Sequence, residues 1–349
     1  MTKKKQSHTG RRHRRLLSIP LLTLILFMVC CLALALGTTS IPFNKLFGVM
    51  AAGLTSSSPD AVNPVHTILL DIRLPRIILG IAVGGSLSLA GTILQGLFRN
   101  PLVEPYTLGI SGGASLGVCL SIIFAWHALI GTLAYPLSGF AGALLVMCFV
   151  YFVSGFRKRM HIRDMLLTGV MISFIASSLV MLLMAISRSE DLNSIIFWIM
   201  GSLDEPDQGL IRLSIISALA GLLVSYLFCH DLNGMALGEE EAAHLGIRVE
   251  KSKRLLFLLA SLLTGISVSV AGVIGFVGLV VPHFMRLLLG PDHRLLLGAA
   301  FLGGASFLIL CDTLARTIIS PLELPVGVVT GIIGGTVFIL TLSRKRITL

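Results

Sequence analysis

The chain alternates long apolar runs with short polar segments over most of its length. Because a bilayer core about 30 Å thick needs roughly 20 apolar residues in a helix, each long run predicts a membrane span. Helices are expected because a helix satisfies its backbone hydrogen bonds within one segment. The ten predicted spans cover residues 16–36, 76–97, 108–126, 133–153, 165–186, 209–229, 255–271, 274–290, 294–315 and 326–343. The predicted fold class is all-α, a polytopic membrane protein, and the boundary near Gly272 is the least sharply marked.

Composition agrees with this pattern and narrows the partners. Hydrophobic residues make up 55% of the chain and charged residues 13%, about half the roughly 25% share of charged residues in a soluble domain. The net charge is +10, but the cations lie between apolar runs and form no separate basic domain, so no nucleic-acid partner is predicted. The six cysteines lie in apolar segments without metal-site or redox spacing, so no metal site is predicted either.

The distribution of Lys and Arg predicts the orientation of the spans. With the N-terminus inside, 21 of the 27 cations face the cytoplasm, as the positive-inside rule requires. Both termini are then cytoplasmic. The chain divides into a basic N-terminal tail at 1–15, a ten-helix membrane domain at 16–343 and a C-terminal tail at 344–349. A cleaved signal peptide is the rival interpretation of the first run, which is longer than a usual signal core and lacks a clear cleavage site. The six cations left outside are Lys45, Arg73, Arg76, Arg188, Arg212 and Arg316.

The longest cytoplasmic loop, about residues 230–254, carries an unusual concentration of charge. Gly238 can end one turn, Glu239–Glu241 favour the positive N-terminal end of a helix, and Gly246 supplies a stop. The pattern predicts a short helix that carries Ala242 and Leu245 among acids. Taken alone, the stretch is better interpreted as a solvated linker whose charges keep it out of the lipid.

Six motifs, in order and spacing, identify a family resemblance. Together they closely resemble the permease subunits of ABC importers for iron-siderophore, haem and cobalamin, over about residues 16–343. The motifs are DIRLPR at 71–76, QGLFRNPLVEP at 95–105, ALGE at 236–239, GFVGLVVPH at 275–283, DHR at 292–294 and ELPVGVVTG at 323–331.

The resemblance implies a ten-helix subunit that pairs with a second copy or a close relative in the cytoplasmic (inner) membrane of a bacterium or archaeon. Two ATPase subunits would bind below and an external substrate-binding protein above. The chain has no Walker A motif. It is therefore not expected to be an enzyme or to bind a cofactor, and ATP and Mg are expected to bind to the ATPase partners. The expected cargo is an iron(III)-siderophore complex, with cobalamin or haem as alternatives.

The resemblance also assigns residues to roles. Arg73 and Arg316 would meet carboxylates on the binding protein, where the alternative is that they anchor helix ends at the membrane surface. The cytoplasmic gate would lie at His161, Ile162 and Arg163, although cobalamin-type members tend to carry small hydroxyl residues there. The coupling helix that fits a groove of the ATPase would include Leu237, Gly238, Glu239, Glu241, Ala242, Leu245 and Gly246.

Glycines spaced four residues apart predict close packing between helices, because they let two backbones approach. These residues are Gly80, Gly84, Gly109, Gly113, Gly117, Gly327, Gly331 and Gly335.

Two functions of other classes compete with the importer subunit. Gly109-Ile110-Ser111-Gly112 matches the GxSG pattern of rhomboid intramembrane proteases, with His283 as an imaginable base. A proton- or sodium-driven transporter would place acids near the membrane midplane. The acids Glu104, Asp164, Glu190 and Glu323 fall instead in predicted loops or at span ends.

Overall fold

The computed structural model describes residues 3–37, 64–155 and 162–346, and these residues form a bundle of helices. Short helical turns at Pro64–Thr67, Ile68–Arg73, Pro105–Leu108, His127–Ile130 and Gly131–Leu133 connect some of the longer helices. In chain order the longer helices are α1 Lys3–Ala35, α2 Leu74–Leu97, α3 Ile110–Ile123, α4 Ala134–Gly155, α5 Ile162–Ile186, α6 Ser189–Met200, α7 Gln208–Leu227, α8 Cys229–Leu237, α9 Glu239–His244, α10 Val249–Ala271, α11 Val277–Leu289, α12 His293–Thr317 and α13 Val326–Arg346.

Ten of these helices correspond to the ten predicted spans. Seven are long and apolar enough to cross a membrane, and α3, α11 and α13 contribute shorter apolar stretches. At 1.5 Å per residue, the 14 residues of α3 and the 13 of α11 cover only about 20 Å. The segments that precede them, 98–109 with its single helical turn and 272–276, must therefore supply part of the thickness of the bundle.

Helix α2 is the centre of the bundle, and its side chains from Gly84 to Leu97 are all buried. It packs against α7, α10, α11 and α12. The contact with α12 is backbone against backbone, because a Cβ on Gly84 would overlap the carbonyl oxygen of Gly304. Gly80 lies one turn earlier in α2 and contacts Ile309 of α12. The predicted packing role of these two glycines agrees with the close approach of α2 and α12.

The other predicted packing glycines differ in how closely a neighbouring segment approaches them. Gly113 and Gly117 allow α3 to approach α4 closely, and Gly109, with φ 82°, turns the chain into α3. Gly327 lies against the carbonyl oxygens of Met200 and Val273. Gly331 differs, because a Cβ there would meet no described atom within 4 Å.

Gly331 therefore has no close packing contact among the described residues of this chain, and Gly335 makes only ordinary van der Waals contact with Phe276. Gly334 is the residue of α13 that lies close to Phe276. A packing role for Gly331 and Gly335 stays a prediction.

Two stretches between predicted spans contain short helices. Segment 187–208 contains α6, which was not predicted. Segment 230–254 contains the predicted short helix, α9, together with α8 and the first turns of α10. The eighth span also begins at Val277 rather than at residue 274.

Candidate functional sites at the two ends of the bundle

The predicted short helix in the cytoplasmic loop is present as α9. Gly238 precedes it with φ 147° and Gly246 follows it with φ 83°, and both conformations favour glycine over residues with a side chain. The two glycines therefore define the length of α9 and turn the chain sharply into and out of it.

One face of α9 is packed and the other is open. Ala242 is fully buried, and its carbonyl accepts a hydrogen bond from the backbone N–H of Ile247. Leu237 and Leu245 flank the helix with 68% and 58% of their surfaces exposed. Two exposed leucines beside the exposed acids Glu240 and Glu241 form a small surface of mixed character, as found at contacts between proteins.

An ion pair attaches α9 to α10. Lys253 of α10 is only 2% exposed, and its Nζ lies 2.6 Å from Oε2 of Glu239 and 3.5 Å from Oε1 of Glu250. Next to it, Ser252 donates a hydrogen bond to Asp231 of α8. Glu239 therefore forms an ion pair within the chain, whereas Glu241, the other predicted acid of the coupling helix, is exposed.

Helix α8 connects this unit to the DHR motif at the start of α12. The amide of Asn233 donates to Asp292 over 2.9 Å, and its Oδ1 accepts from the backbone N–H of His293 over 2.9 Å. Asp292 also accepts from the backbone N–H of Arg294. Burial acts to raise the pKa of Asp292, but these hydrogen bonds and the Arg294 charge outweigh it and hold the pKa below its ordinary value. A displacement of α8 would thus reach α12 directly.

The QGLFRNPLVEP motif organises the break between α10 and α11. Gln95 accepts a hydrogen bond from Arg286 of α11 and donates to the carbonyl of Leu279. Glu104 accepts from the backbone N–H of Phe276 over 2.6 Å. Phe276 has φ 69°, a conformation unfavourable for a residue with a side chain. Side chains of this motif therefore hold the segment 272–276 in an irregular path.

At the opposite end of the bundle, Arg73 lies inside the protomer. It ends the π-helical turn before α2 and is 2% exposed. Its Nη1 donates to the carbonyls of Leu34 and Ala35, in the last turn of α1. Carbonyls at a helix end lack partners within the helix, so Arg73 satisfies the C-terminus of α1.

Arg316 belongs to a buried network of charges at the same end. Asp312 pairs with Arg316 one turn along α12, at 3.0 Å, and with Arg76 of α2, at 3.2 Å. Arg76 also donates to Glu323, which precedes α13, over 2.8 Å. We call these four residues the outer charge network. Neither Arg76 nor Glu323 had a predicted role, although both lie in the motifs DIRLPR and ELPVGVVTG.

The predicted gate and protease residues lie elsewhere. His161 is outside the described residues, while Ile162 and Arg163 form the first turn of α5. Ser111 lines a cavity between α3, α5 and α6. His283 of α11 packs edge-on against Phe338 of α13, with ring centroids 5.7 Å apart. His283 thus has a packing contact that needs no catalytic role.

Comparisons with known proteins agree with this architecture. Residues 24–344 match the FecCD transport family. The hemin transport system permease HmuU of Yersinia pestis is 39% identical over 93% of this chain and 94% of its own. The cobalamin import permease BtuC of Halobacterium salinarum is 36% identical over 88% and 81%.

A solved structure extends the likeness to the fold. An inward-facing putative metal-chelate type ABC transporter superposes with a TM-score of 0.81 at 30% identity, over 93% of this chain and 98% of its own. Such permeases are not enzymes, since separate ATPase subunits hydrolyse ATP. The matched family, the relatives and the ten apolar helices together show that this multi-pass membrane protein belongs to the FecCD transport family of ABC importer permeases.

Proposed function

We propose that this permease carries an iron(III)-siderophore complex inward across the cytoplasmic membrane of a bacterium or archaeon. Its two termini face the cytoplasm, as the distribution of cations supports. The proposal of an iron chelate is supported by the similarity to a metal-chelate type transporter. Cobalamin and haem are the alternatives, because relatives of nearly equal similarity are named for cobalamin and hemin.

The working assembly contains a second permease, two ATPases and an external binding protein. A second copy of this chain is the proposed permease partner, and the path runs between the two copies. His161–Arg163 form the proposed cytoplasmic gate. Arg73 and Arg316 are proposed to meet carboxylates of the binding protein.

The observation that carries the coupling mechanism is the shape of α9. Helix α9 is bounded by Gly238 and Gly246 and joined to α10 by the Glu239–Lys253 ion pair, so it moves as a unit. The exposed side chains of Leu237 and Leu245 flank it. Closure of the ATPases would push this helix. Asn233 and Lys253 then transmit the displacement to α12 and α10, so that the spans change which side of the membrane the path opens to.

Charged substitutions on α9 test this assignment. Leu237→Asp and Leu245→Asp should leave the chain inserted and folded, because both side chains are exposed, but should weaken association with the ATPase and reduce transport. Leu322→Asp is the matched control, since Leu322 is 70% exposed in a loop at the opposite end. Full transport and unchanged copurification after deletion of Glu239–Leu245 would remove the coupling role from α9.

Uptake into proteoliposomes tests the cargo. The permease would be reconstituted with its ATPase and binding protein, and labelled ferric siderophore, haem and cobalamin would be offered separately. ATP-dependent accumulation of the ferric siderophore alone is the expected result. Accumulation of only cobalamin or only haem would replace the proposed cargo while leaving the importer mechanism intact.

Single cysteines in a cysteine-free background test the orientation. Residue 248 is a better cytoplasmic probe in the coupling loop than residue 252, because Arg248 is exposed whereas Ser252 is buried against Asp231. Labelling of residue 248 by an impermeant maleimide from outside would invert the proposed topology. Cysteines expected to react only from the cytoplasm are at 5, 158, 248 and 345, and those expected to react only from outside are at 60, 190 and 320.

A further inference from the structure

A groove lies between α4 and α10 at the end of the bundle that carries α9. Its volume is about 650 Å³. Met147, Cys148 and Tyr151 of α4 form one wall, and Leu255, Phe257 and Leu258 of α10 form the other. The floor and walls are therefore almost entirely apolar.

Two cations stand at the mouth of this groove. Lys251 and Arg254 are exposed and line it. With Leu255 and Leu258 they occupy positions i, i+3, i+4 and i+7 of α10, so all four share one helix face. Neither cation has an ion-pair partner among residues whose side chains the structure describes.

The acid that also lines the groove pairs with a third cation. Glu250 lies within ion-pair distance of Lys253, which is buried and does not line the groove. Lys251 also stands in the first turn of α10, where the N-terminal end of a helix favours an anion. The groove thus combines an apolar interior with a positively charged mouth.

The adjoining surface of α4 indicates what reaches the groove. Leu145, Phe149 and Phe152 of this helix are exposed and apolar, as expected of a face that contacts lipid chains. A free phosphate or a soluble acidic molecule would leave the apolar interior unfilled. A molecule with both an anionic head and a hydrocarbon chain matches both parts.

We propose that this groove binds an anionic phospholipid, with its phosphate between Lys251 and Arg254 and one acyl chain along Phe257 and Leu258. Basic pockets between membrane helices are a recognised form of lipid headgroup site. The proposed orientation of the chain implies that the lipid comes from the cytoplasmic leaflet. The existence of the site does not depend on that orientation. The lipid would stand one turn from Lys253, which holds Glu239 of α9.

Native mass spectrometry of the purified chain tests the proposal. The chain would be taken from nanodiscs of phosphatidylcholine that contain phosphatidylglycerol, and the bound lipids counted. We expect phosphatidylglycerol to be retained over phosphatidylcholine. Each cation near a membrane surface contributes roughly a fivefold change in lipid affinity, so Lys251→Gln with Arg254→Gln should weaken retention by about 25-fold.

Two controls separate a site from general attraction. Arg294→Gln removes one exposed charge at the same end of the bundle and should retain the lipid. Leu258→Trp fills the groove without removing charge and should displace the lipid, whereas Leu219→Trp, on an exposed part of α7, should not.

Two results would overturn the proposal. The first is equal retention of lipid by the double variant and the wild type. The second is an equal loss of lipid in Arg294→Gln. In the first case, copurification of the double variant with the ATPase would be measured as well, and weakened association would mean that Lys251 and Arg254 face an acidic surface of the ATPase.

Discussion

The two ends of the bundle handle their charges differently. At the outer end, Arg76, Asp312 and Arg316 are buried and paired with one another. At the end that carries α9, Lys253 is just as buried, but its partners Glu239 and Glu250 each retain more than a third of their side-chain exposure. The first network has an enclosed centre, with only the Glu323 carboxylate 40% exposed at its edge, whereas the second is a single buried cation whose carboxylates both reach solvent.

This difference predicts how each end responds to change. A buried charge that loses its partner cannot recover the lost interaction from water, so the enclosed network should be costly to break. A partly exposed carboxylate regains water when its partner is removed, so its pair contributes little. We infer that the end opposite α9 resists loss of a charge, whereas removing the charge of Lys253 at the α9 end costs little, because the carboxylates left behind are partly exposed.

Breaking the outer charge network should have the largest effect. Asp312→Asn keeps the shape of the side chain but leaves Arg76 and Arg316 without their shared carboxylate. We expect a loss of about 3–5 kcal/mol in the free energy of unfolding, as for other broken buried pairs. Thermal unfolding of the purified chain in detergent measures it. Glu240→Gln, on the exposed face of α9, is the control, and equal stability of the two variants would contradict the enclosed character of the network.

Docking of the binding protein sharpens the comparison, because both proposed contacts are buried in this protomer. We expect Arg316→Gln and Arg73→Gln each to weaken docking by about 5- to 150-fold, the loss of a charge-assisted contact worth about 1–3 kcal/mol. Binding titrations measure it, and the loss should depend only weakly on salt, because salt screens buried charges much less than exposed ones. Arg188→Gln, an exposed outer cation, is the matched control.

A rescue experiment distinguishes docking from an internal role. Arg73 also satisfies the carbonyls of Leu34 and Ala35, so its substitution will reduce stability whether or not it docks. Exchanging charges, with Glu at Arg73 and Arg at the partner carboxylate, should restore part of the affinity. If the Arg73 variant loses stability but binds the binding protein as tightly as the wild type, the role of Arg73 is limited to its contact with α1.

Breaking the ion pair at α9 should cost less. Lys253→Met keeps most of the packed stem while removing the charge. We expect a loss of about 1 kcal/mol, because Glu239 and Glu250 are already partly hydrated. The same thermal assay measures it, with Arg248→Met as an exposed control. A loss as large as that of Asp312→Asn would show that the two ends do not differ.

The smallest expected change in stability is that of Glu241→Gln. Exposed substitutions usually alter stability by less than about 0.5 kcal/mol. Association with the ATPase should nevertheless fall severalfold at low salt and recover at high salt, since exposed charges are screened within about 8 Å. Copurification at two ionic strengths measures it. A salt-independent result would exclude a charge contact at Glu241.

The features predictable from sequence were those that a local pattern encodes. Run length predicted the ten apolar helices, and Gly238 and Gly246 predicted α9. The pairing of Arg76 with Glu323 joins residues 247 positions apart, and no local pattern specifies such a contact. The proximity of Gly334 to Phe276 likewise joins residues far apart in the chain, and a four-residue spacing rule does not single out Gly334.

One consequence of the fold concerns how the chain is made. Gly201, Gly272 and Gly327 meet where the ends of α6 and α10 approach the start of α13, and a Cβ on any of them would crowd a backbone carbonyl of a neighbouring segment. The ribosome delivers these segments far apart in time, and α13 emerges last. The junction cannot close until the final helix has entered the bilayer. A chain truncated before Val326 should therefore be recognised by membrane quality-control proteases as unfinished, even though nine of its ten apolar helices are complete.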